Sequence, residues 1–517
     1  MRALGELATP AGKVRNATER FLCAGSDNAG TLRILVLFVA AWTLFQTISF
    51  SSVALHPDLM EIFAWSLHPA ASYYKHPPLA SLMTRGWFSV FPVADWSFHL
   101  LAMTNAAVGL FFTDLIARRY LDRDKRIFVL LFLLMTPFYQ FHGQRFASNQ
   151  TLLSTWPLAT WCFLRAFERR GVIWPLAAGV TAAAAMMGKY FSVYLIAAFP
   201  VAVLLHRDRM RYLLSPAPWI STAAGFLVLS PHLLWLQANG PQTFNYAFTV
   251  HGHIGFSKAL AKSGSYLLGL IGYAALPCAA TWFALRPSLE TVRQALLPDD
   301  SEQRMLVALF AVPLILPAIV APLLQTSVTP LWSMQGWFLL PILLLAPSSA
   351  VLSHRAMITT AICLATATIA IIAAAPAIAW HYHADGIGES REHSHSLATE
   401  VTREWRSRYG TRLSIVTGDE KLAGAATFYS PDHPDSLFLV GLWTTPWVTP
   451  ERIAREGSMI LCRANDQAAC IQAQQTLGVT EQILQKTEIT IASHFLGSTT
   501  RPEKFLIWLV PPNAGMR

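Results

Sequence analysis

The chain has 517 residues and a formal net charge of +9, and 53% of its residues are hydrophobic while only 13% are charged. Because soluble domains carry about 25% charged residues, this composition excludes a soluble cytosolic enzyme, and the hydrophobicity excludes a disordered chain. Six cysteines in so long a chain are too few for a disulfide scaffold. A nucleic-acid partner would need basic residues gathered on one face of a folded domain, so their positions decide that question.

About eleven apolar runs are predicted to cross a membrane, since a spanning helix needs about 20 apolar residues. The first run begins too far into the chain, and is too long, to be a secretory signal peptide. Asp114, at the end of the second run, is expected to form an ion pair with Arg118. The runs are 31–55, 96–117, 127–142, 151–167, 172–187, 191–205, 217–237, 264–285, 305–323, 333–348 and 357–379. The sequence therefore predicts a polytopic α-helical membrane domain over residues 1–379.

Basic residues alternate between the predicted loops in a way that indicates membrane orientation. Loops on one side, from Arg2 to Arg355, hold 20 of the 39 Lys and Arg residues, whereas loops on the other side hold 6. Cytoplasmic loops are enriched in Lys and Arg, so the amino terminus is predicted to be cytoplasmic. An odd number of spans then places residues 380–517 in the periplasm. The positive charge consequently marks topology and gives no support to nucleic-acid binding.

The first outside loop, residues 56–95, contains two acidic residues of interest. Asp58 and Glu61 are three residues apart and share a face if Pro57 begins a helix. A carboxylate in the first turn of a helix is expected to stay ionised. The residues alone leave two interpretations of Asp58 open, a helix cap or a catalytic group. The stretches 59–67 and 79–91 are predicted to be amphipathic helices on the membrane surface.

Further polar clusters lie in the other outside loops. Arg145 is expected either to snorkel at the membrane edge or to hold a phosphate, and Lys189 either to anchor the interface or to bind substrate. His251 and His253 have a His-x-His spacing, but two histidines alone are a weak sign of a metal site. The loops containing these clusters are 142–149, 188–190, 238–262 and 325–335. Cations, carboxylates and aromatics on one side of a bilayer fit a sugar carried on a lipid phosphate.

Residues 380–517 are polar and are predicted to form a small α/β domain, because strand-like runs alternate with helix-like stretches such as Asp466–Leu477. The runs are Leu413–Val416, Ser436–Val440, Ser458–Cys462, Glu488–Ser493 and Phe505–Val510. Cys462 and Cys470 both lie in this domain. In an oxidising compartment they are predicted to form a disulfide, with two reduced thiols as the alternative.

The order of these motifs resembles that of the GT-C glycosyltransferases of the family 39, or protein O-mannosyltransferase-like, superfamily, which includes bacterial aminoarabinose and galacturonosyl transferases. The resemblance covers about residues 55–350. It rests on Asp58, Trp65 and Tyr73–Leu79 in the first loop, and on Arg145–Asn149, Gly188–Tyr190, Pro231–Leu233 and Thr329–Trp332. Members of that group commonly carry an Asp-Glu pair and a second loop acid, where this chain has Leu59 and Asn149.

The resemblance implies an inverting transferase that moves a sugar from a polyprenyl-phosphate donor to lipid A, LPS core, another glycolipid or a cell-surface polymer at a bacterial inner membrane. Asp58 and Glu61 would be its catalytic carboxylates. Lys75, His76, Arg145 and Lys189 would bind the donor phosphate, and Tyr74, Asn149, Tyr190, His251 and His253 would make other substrate contacts. A divalent cation is left open as a cofactor, without assigned ligands. The alternatives are a transporter or flippase for a lipid-linked sugar and a non-catalytic glycolipid-binding membrane protein.

Overall fold

Helices account for most of the structure, a computed structural model that describes residues 10–25, 28–438 and 441–513. Arg2, used above for orientation, and Val440, the end of a predicted strand, lie outside these residues. The α-helices up to residue 345 are Pro10–Cys23, Ala29–Ser49, Pro57–Leu67, Leu79–Phe88, Asp95–Ala117, Arg123–Leu133, Ser148–Arg169, Ile173–Gly188, Val193–Leu205, Arg209–Leu213, Ala217–Asn239, Gln242–His251, Phe256–Leu285, Leu289–Leu296, Ser301–Leu323 and Leu340–Leu345. A π-helix, Phe138–His142, and two 3₁₀ helices, Tyr190–Ser192 and Pro330–Leu339, lie between them.

Each of the eleven predicted apolar runs contains a helix. Within the described residues, six helices are long and apolar enough to cross a membrane, and these are Ala29–Ser49, Asp95–Ala117, Ala217–Asn239, Phe256–Leu285, Ser301–Leu323 and His354–Asp385. Shorter apolar helices occupy Ile173–Gly188, Tyr190–Leu205 and Pro330–Leu345. The predicted run 127–142 is not continuous, because the α-helix ends at Leu133 and Pro137 precedes the π-helix. Proline removes a backbone donor and breaks a helix in this way.

Neighbouring helices pack closely at two glycine residues, where there is no room for a side chain. A Cβ atom on Gly109 would lie 1.9 Å from the carbonyl oxygen of Leu153, and one on Gly179 would lie 2.1 Å from that of Ser221. The backbones of neighbouring helices therefore approach each other at these two positions. Small residues at helix crossings are typical of membrane bundles, in which van der Waals contact drives association.

Asp114 is fully buried and forms ion pairs with two arginines. Its carboxylate is 2.7 Å from Arg118 Nη2 and 2.9 Å from Arg126 Nε. The expected pairing of Asp114 with Arg118 is confirmed, and Arg126 is an additional partner. Because the Asp114 carboxylate already pairs with two arginines, its buried charge is compensated within the fold, as a buried charge must be.

The described residues divide into two compact units. The first runs to Thr43 and then includes Tyr74–Ala80 and Leu100–Ile371, while the second contains Leu44–Tyr73, Ser81–His99 and the chain after Ile372. The second unit includes the carboxyl-terminal part of the helix His354–Asp385. Its other helices after that point are Ser394–Tyr409, Glu420–Tyr429, Pro450–Glu456 and Ala468–Leu477, with a 3₁₀ turn at Leu442–Thr444.

A small mixed sheet forms the centre of the second unit. The strands are β1 (Ile415–Gly418), β2 (Asp435–Ser436), β3 (Ser458–Arg463), β4 (Gln485–Ile491), β5 (His494–Phe495), β6 (Ser498–Thr499) and β7 (Glu503–Val510). Five of them form a sheet in the order β2-β1-β3-β7-β4, and β5 pairs with β6 separately. The pairs of β1 with β2 and β3 are parallel, whereas β7 pairs antiparallel with β3 and β4. The predicted α/β character of this segment is confirmed.

Alternate side chains of the strands face two separate cores, as the period of a strand requires. Val416, Met459 and Ile507 belong to the core that includes Trp405 of the helix Ser394–Tyr409. Ile415, Ile460 and Trp508 belong to the other core, which also contains Cys462 and Cys470. Those two cysteines are joined by a disulfide. Helices therefore cover both faces of the sheet.

The helix Pro57–Leu67 of the first loop packs within the same unit as the sheet. Phe63 lies 4.9 Å, centroid to centroid, from Phe428 of the helix Glu420–Tyr429. A Cβ atom on Gly424 in that helix would be 3.6 Å from Met60. The apolar side of Pro57–Leu67 is thus covered by protein, and the expectation that the stretch 59–67 lies on the membrane surface is wrong. A packed protein partner removes the same apolar area from water that lipid would.

Candidate functional site

Asp58 lies in the first turn of the helix Pro57–Leu67, as the sequence predicts. His56 is the N-cap, and its Nδ1 accepts a hydrogen bond from the backbone N–H of Asp58 at 3.3 Å. The Asp58 carboxylate is 3.5 Å from His56 Nδ1, and its side chain is 58% exposed. Since His56 supplies the cap, Asp58 itself is not needed for that role. Its exposed carboxylate can accept a proton from an incoming group.

Glu61 lies one turn further along the same helix and is partly buried. A spacing of three residues puts it on the same face as Asp58. Leu59 and Met60, the two residues between them, are buried. The helix therefore presents two acids on one side and fixes their spacing through the apolar residues on the other.

A set of aromatic and polar contacts holds the carboxyl-terminal end of this helix. Tyr73 stacks on Trp65 with ring centroids 4.9 Å apart. His68 stacks on Trp447 at 4.6 Å, and its Nε2 lies 2.5 Å from Asp435 Oδ1. Burial raises the pKa of Asp435, but hydrogen bonds from His68 and Arg452 outweigh that effect and leave the pKa below its usual value. The helix that carries Asp58 is thus tied to the sheet by an ionised, buried carboxylate.

The first unit contains a second group of predicted residues, which we name the Lys75–Lys189 cluster. It comprises Tyr74, Lys75, His76, Asn149, Lys189, Tyr246, His251 and Trp332. Lys75 Nζ lies 5.2 Å from the ring centroid of Tyr74 and 5.8 Å from that of Tyr246. His76 faces the edge of Tyr246, with ring centroids 6.2 Å apart. Tyrosine faces attract a lysine ammonium and hold it without neutralising its charge.

Lys189 follows the helix Ile173–Gly188 and has extended backbone angles. Its Nζ donates a hydrogen bond to Asn149 Oδ1 at 2.6 Å and lies 4.6 Å from the ring centroid of Trp332. Trp332 also contacts His251, with ring centroids 4.9 Å apart. A neutral amide in the position of Asn149 orients the ammonium while leaving its full charge available to a ligand.

The electrostatics of the cluster are dominated by positive charge. Enclosure by neighbouring side chains, followed by the charges of Lys189, Lys75 and His251, lowers the pKa of His76 to about 3. Burial and the charge of Lys189 likewise lower the pKa of His251. Both imidazoles are therefore neutral at physiological pH, beside two charged lysines. This arrangement can bind an anion such as a phosphate through the ammonium groups.

Tyr190 makes its contacts next to the cluster through other residues. Its hydroxyl group is 2.7 Å from His232 Nε2, and its ring stacks on Phe244 at 4.5 Å. His232 belongs to the Pro231–Leu233 motif, to which the sequence assigned no role. Phe244 and Tyr246 lie on the helix Gln242–His251, where aromatic residues resemble ordinary packing residues, so nothing in the sequence singles them out.

Two predicted residues lie apart from this group. Arg145 and His253 are exposed, and His253 has a backbone φ of 58°. Among the residues that the structure describes, no recorded contact joins either of them to the Lys75–Lys189 cluster. His251 and His253 also fail to meet a third ligand-bearing side chain at metal-binding spacing within those residues. Their roles in substrate binding stay predictions.

Comparison with known proteins supports the resemblance. Residues 75–235 match the family model described as dolichyl-phosphate-mannose-protein mannosyltransferase. A comparison with curated protein sequences finds no match. Two solved structures of ArnT from Cupriavidus metallidurans, one bound to undecaprenyl phosphate and one in the apo state, align with TM-scores of 0.58. They are 13% and 12% identical to this chain, and each alignment covers 93% of this chain and 98% of ArnT.

The chain has the ArnT fold. The resemblance to the GT-C glycosyltransferases is thereby confirmed at the level of the fold, and the family model supports it over residues 75–235. The length and composition of the apolar helices support a multi-pass membrane protein. The matched family segment begins at Lys75 and includes His76, Asn149 and Lys189. Asp58 lies before the matched segment, so the family model does not bear on it.

Proposed function

We propose that this protein is an integral membrane glycosyltransferase that moves a sugar from a polyprenyl-phosphate carrier to an extracytoplasmic acceptor. The observation that carries the proposal is the Lys75–Lys189 cluster, in which two lysines stand beside two imidazoles that burial keeps neutral. Such a cluster favours a phosphate over a neutral sugar, and it favours the doubly charged phosphate of the departing carrier over the singly charged phosphodiester of the donor. The likeness to ArnT, solved with undecaprenyl phosphate, supports a lipid-linked phosphate as its ligand.

A lipid carrier also needs apolar surface, which the first unit offers in a groove of about 1280 Å³. Its lining includes Trp42, Phe141, Phe283 and the segment of the helix His354–Asp385 from Arg355 to Ile371. An α-helical segment of that length extends about 25 Å, which approaches the thickness of the hydrocarbon layer. We propose that the carrier chain is accommodated there. The volume is larger than the 300–1,000 Å³ or so typical of sites for small soluble ligands.

The proposed reaction is a single displacement, which inverts the anomeric centre. Asp58 accepts the proton of the acceptor hydroxyl, and that oxygen forms a bond to the anomeric carbon. The bond between the anomeric carbon and the phosphate oxygen breaks, and the carrier leaves as a polyprenyl phosphate. Lys75 and Lys189 stabilise the charge that develops on the leaving phosphate. Glu61 supports Asp58 in place of the adjacent acid that Leu59 replaces.

The remaining assignments belong to the same proposal. We propose about eleven spans, a bacterial inner-membrane location, and a periplasmic position for both the first loop and residues 380–517. Lipid A, LPS core, another glycolipid or a cell-surface polymer would supply the acceptor hydroxyl. A transporter would require an ionisable group free to load and release an ion within the membrane. Asp114, already paired with two arginines, does not offer one.

The test compares glycolipids and polysaccharides by mass spectrometry in a deletion strain carrying either the original gene or variants. The deletion is expected to remove one sugar mass from one fraction. Asp58→Asn should leave that mass missing, because an amide does not accept the proton. Asp299→Asn, which makes the same change at an exposed loop residue, should restore it. Restoration of the full modification by Asp58→Asn would show that Asp58 is not the catalytic base.

A further inference from the structure

Three side chains able to bind a metal ion meet in the second unit, outside the membrane-spanning helices. Glu392 and His393 precede the helix Ser394–Tyr409, and Glu503 begins β7. One imidazole nitrogen and one oxygen from each carboxylate lie within 4.8 Å of one another. A metal ion with ligand bonds of about 2.0 to 2.2 Å spans at most about 4.4 Å. The three groups therefore need to move by less than about 1 Å to share an ion.

His393 has the orientation that a ligating histidine requires. The residue is 3% exposed, and its Nδ1 lies 3.4 Å from Thr500 Oγ1. Thr500 Oγ1 is itself fixed, because it accepts a hydrogen bond from the backbone N–H of Ser493 at 2.8 Å. The other ring nitrogen, Nε2, points towards Glu503 Oε2 at 3.7 Å, which is longer than a hydrogen bond. Metal-bound histidines are held in this way through the nitrogen that does not bind the metal.

Glu392 contributes an oxygen that the fold leaves unsatisfied. Its Oε2 is buried and has no hydrogen-bond partner among the described residues. The other oxygen is closely confined, since a Cβ atom on Gly386 would lie 2.8 Å from Glu392 Oε1. Burying a carboxylate oxygen without a partner is costly, and a cation beside it would offset that cost.

The charges around the three residues leave a negative excess. Arg463 forms a short ion pair with Asp419, donates to Ser390 Oγ at 2.7 Å, and keeps its Nε 3.9 Å from Glu503 Oε1. This guanidinium thus faces the two carboxylates of Asp419 and Glu503. Glu392, which lies near His393 and Glu503, adds a third carboxylate, so the formal sum of these groups is −2. A divalent cation would balance that sum.

We propose that Glu392, His393 and Glu503 bind a divalent transition-metal cation, with Zn²⁺ as the preferred ion and water completing its coordination. One imidazole with two carboxylates suits zinc better than magnesium or calcium, which favour oxygen ligands alone. Glu503 is 28% exposed at its side chain, so water can reach the open position. The ion would link the segment after the helix His354–Asp385 to β7. The proposal is independent of the transferase activity.

A second group of ligand-bearing side chains provides an internal comparison. Cys23, Asp124 and His354 also lie at metal-binding spacing. In that group both ring nitrogens of His354 already face carboxylates, Nδ1 at 2.7 Å from Asp124 and Nε2 at 3.3 Å from Glu19. The histidine there bridges two acids, and that group is satisfied without an ion.

The experiment measures Zn²⁺ on the full-length protein in detergent after chelator treatment and reloading. We expect one tightly held zinc per chain and a higher unfolding temperature with zinc than without. Glu503→Gln and Glu392→Gln, which keep the side-chain size, should each weaken zinc binding by on the order of 100-fold, since even the loss of an outer-shell partner costs 10- to 100-fold. Glu488→Gln, on the exposed side of β4 and paired with Lys504 at 2.7 Å, should bind zinc normally.

The zinc-free unfolding temperature of each variant shows whether it is folded. Unchanged zinc affinity in both Glu392→Gln and Glu503→Gln would overturn the proposal, and so would the absence of stoichiometric zinc at micromolar concentration. Loss of zinc binding in Cys23→Ser together with normal zinc binding in Glu503→Gln would assign the zinc to Cys23, Asp124 and His354. That result would also overturn the proposal.

Discussion

Replacement of Lys189 by glutamine tests the phosphate site most directly. The ammonium lies 2.6 Å from Asn149 Oδ1 and 4.6 Å from the Trp332 ring, so it is positioned before any ligand arrives. The glutamine amide can still donate to Asn149, but it carries no charge. A hydrogen bond to a charged group contributes about 1.5 to 3 kcal/mol. Since 1.4 kcal/mol is a factor of ten, the dissociation constant for a polyprenyl phosphate should rise about 10- to 150-fold.

The assay is titration of the purified protein in nanodiscs with undecaprenyl phosphate, followed by calorimetry or native mass spectrometry. Lys258→Gln is the matched control, because Lys258 is an exposed lysine in the first turn of the helix Phe256–Leu285, and it should change the affinity less than twofold. Lys75→Gln should resemble Lys189→Gln. If both lysines contact one phosphate, the double variant should lose less than the product of the two single losses, since shared partners make the effects non-additive.

The unfolding temperature and the ligand affinity of Lys189→Gln separate the loss of a contact within the fold from the loss of a contact with the ligand. The variant also loses the cation–π contact with Trp332, which contributes about 0.5 to 2 kcal/mol, so its unfolding temperature should fall slightly without ligand. An affinity for undecaprenyl phosphate within twofold of the original protein would refute the phosphate role of Lys189, whatever the stability shows.

Two further predictions concern stability. Asp114→Asn removes the carboxylate that pairs with Arg126, whose side chain is 5% exposed, and should cost about 3 to 5 kcal/mol of unfolding free energy. Arg118→Gln, at a side chain that is 28% exposed, should cost much less. Equal losses of unfolding free energy for the two variants in detergent would contradict this ranking. His76 has its pKa lowered from 6.5 to about 3, so the unfolded chain takes up a proton below about pH 6.5 while the folded chain does so only near pH 3. The free energy of unfolding should therefore decrease as the pH falls across that interval, and His76→Gln should reduce the slope between pH 7.5 and 5; an unchanged slope would show that His76 does not titrate in this way.

The sequence predicts the helices well because their signal is local. Every predicted apolar run contains a helix, and each strand-like run of the last part overlaps a strand of the sheet. The run Ser436–Val440 overlaps β2 only at Ser436 among the described residues. The break at Pro137 is a local feature that hydropathy averaging conceals. Whether each helix crosses a membrane depends on lipid, which composition indicates only through length and hydropathy.

The candidate site is predictable only in part, because its contacts are not local. Lys75 and Lys189 stand out as isolated cations between apolar stretches, and Asp58 stands out beside Pro57. Tyr246 and Trp332 contact those lysines. Nothing in the segment around Tyr246 distinguishes it from a packing residue, and Trp332 belongs to the Thr329–Trp332 motif, which carried no assigned role. The covering of Met60 and Phe63 by the helix Glu420–Tyr429 was likewise hidden, since it joins segments more than 350 residues apart.

That last contact has a consequence for biosynthesis. The helix Pro57–Leu67 emerges from the ribosome early, but the helix that covers its apolar side is synthesised only when most of the chain is complete. At about 5 to 20 residues per second, the apolar face waits on the order of 20 to 70 seconds for its partner. During that time the membrane surface is the natural place for it. Chain shortening after residue 380 would therefore leave the Asp58 helix without the packing that sets its final orientation.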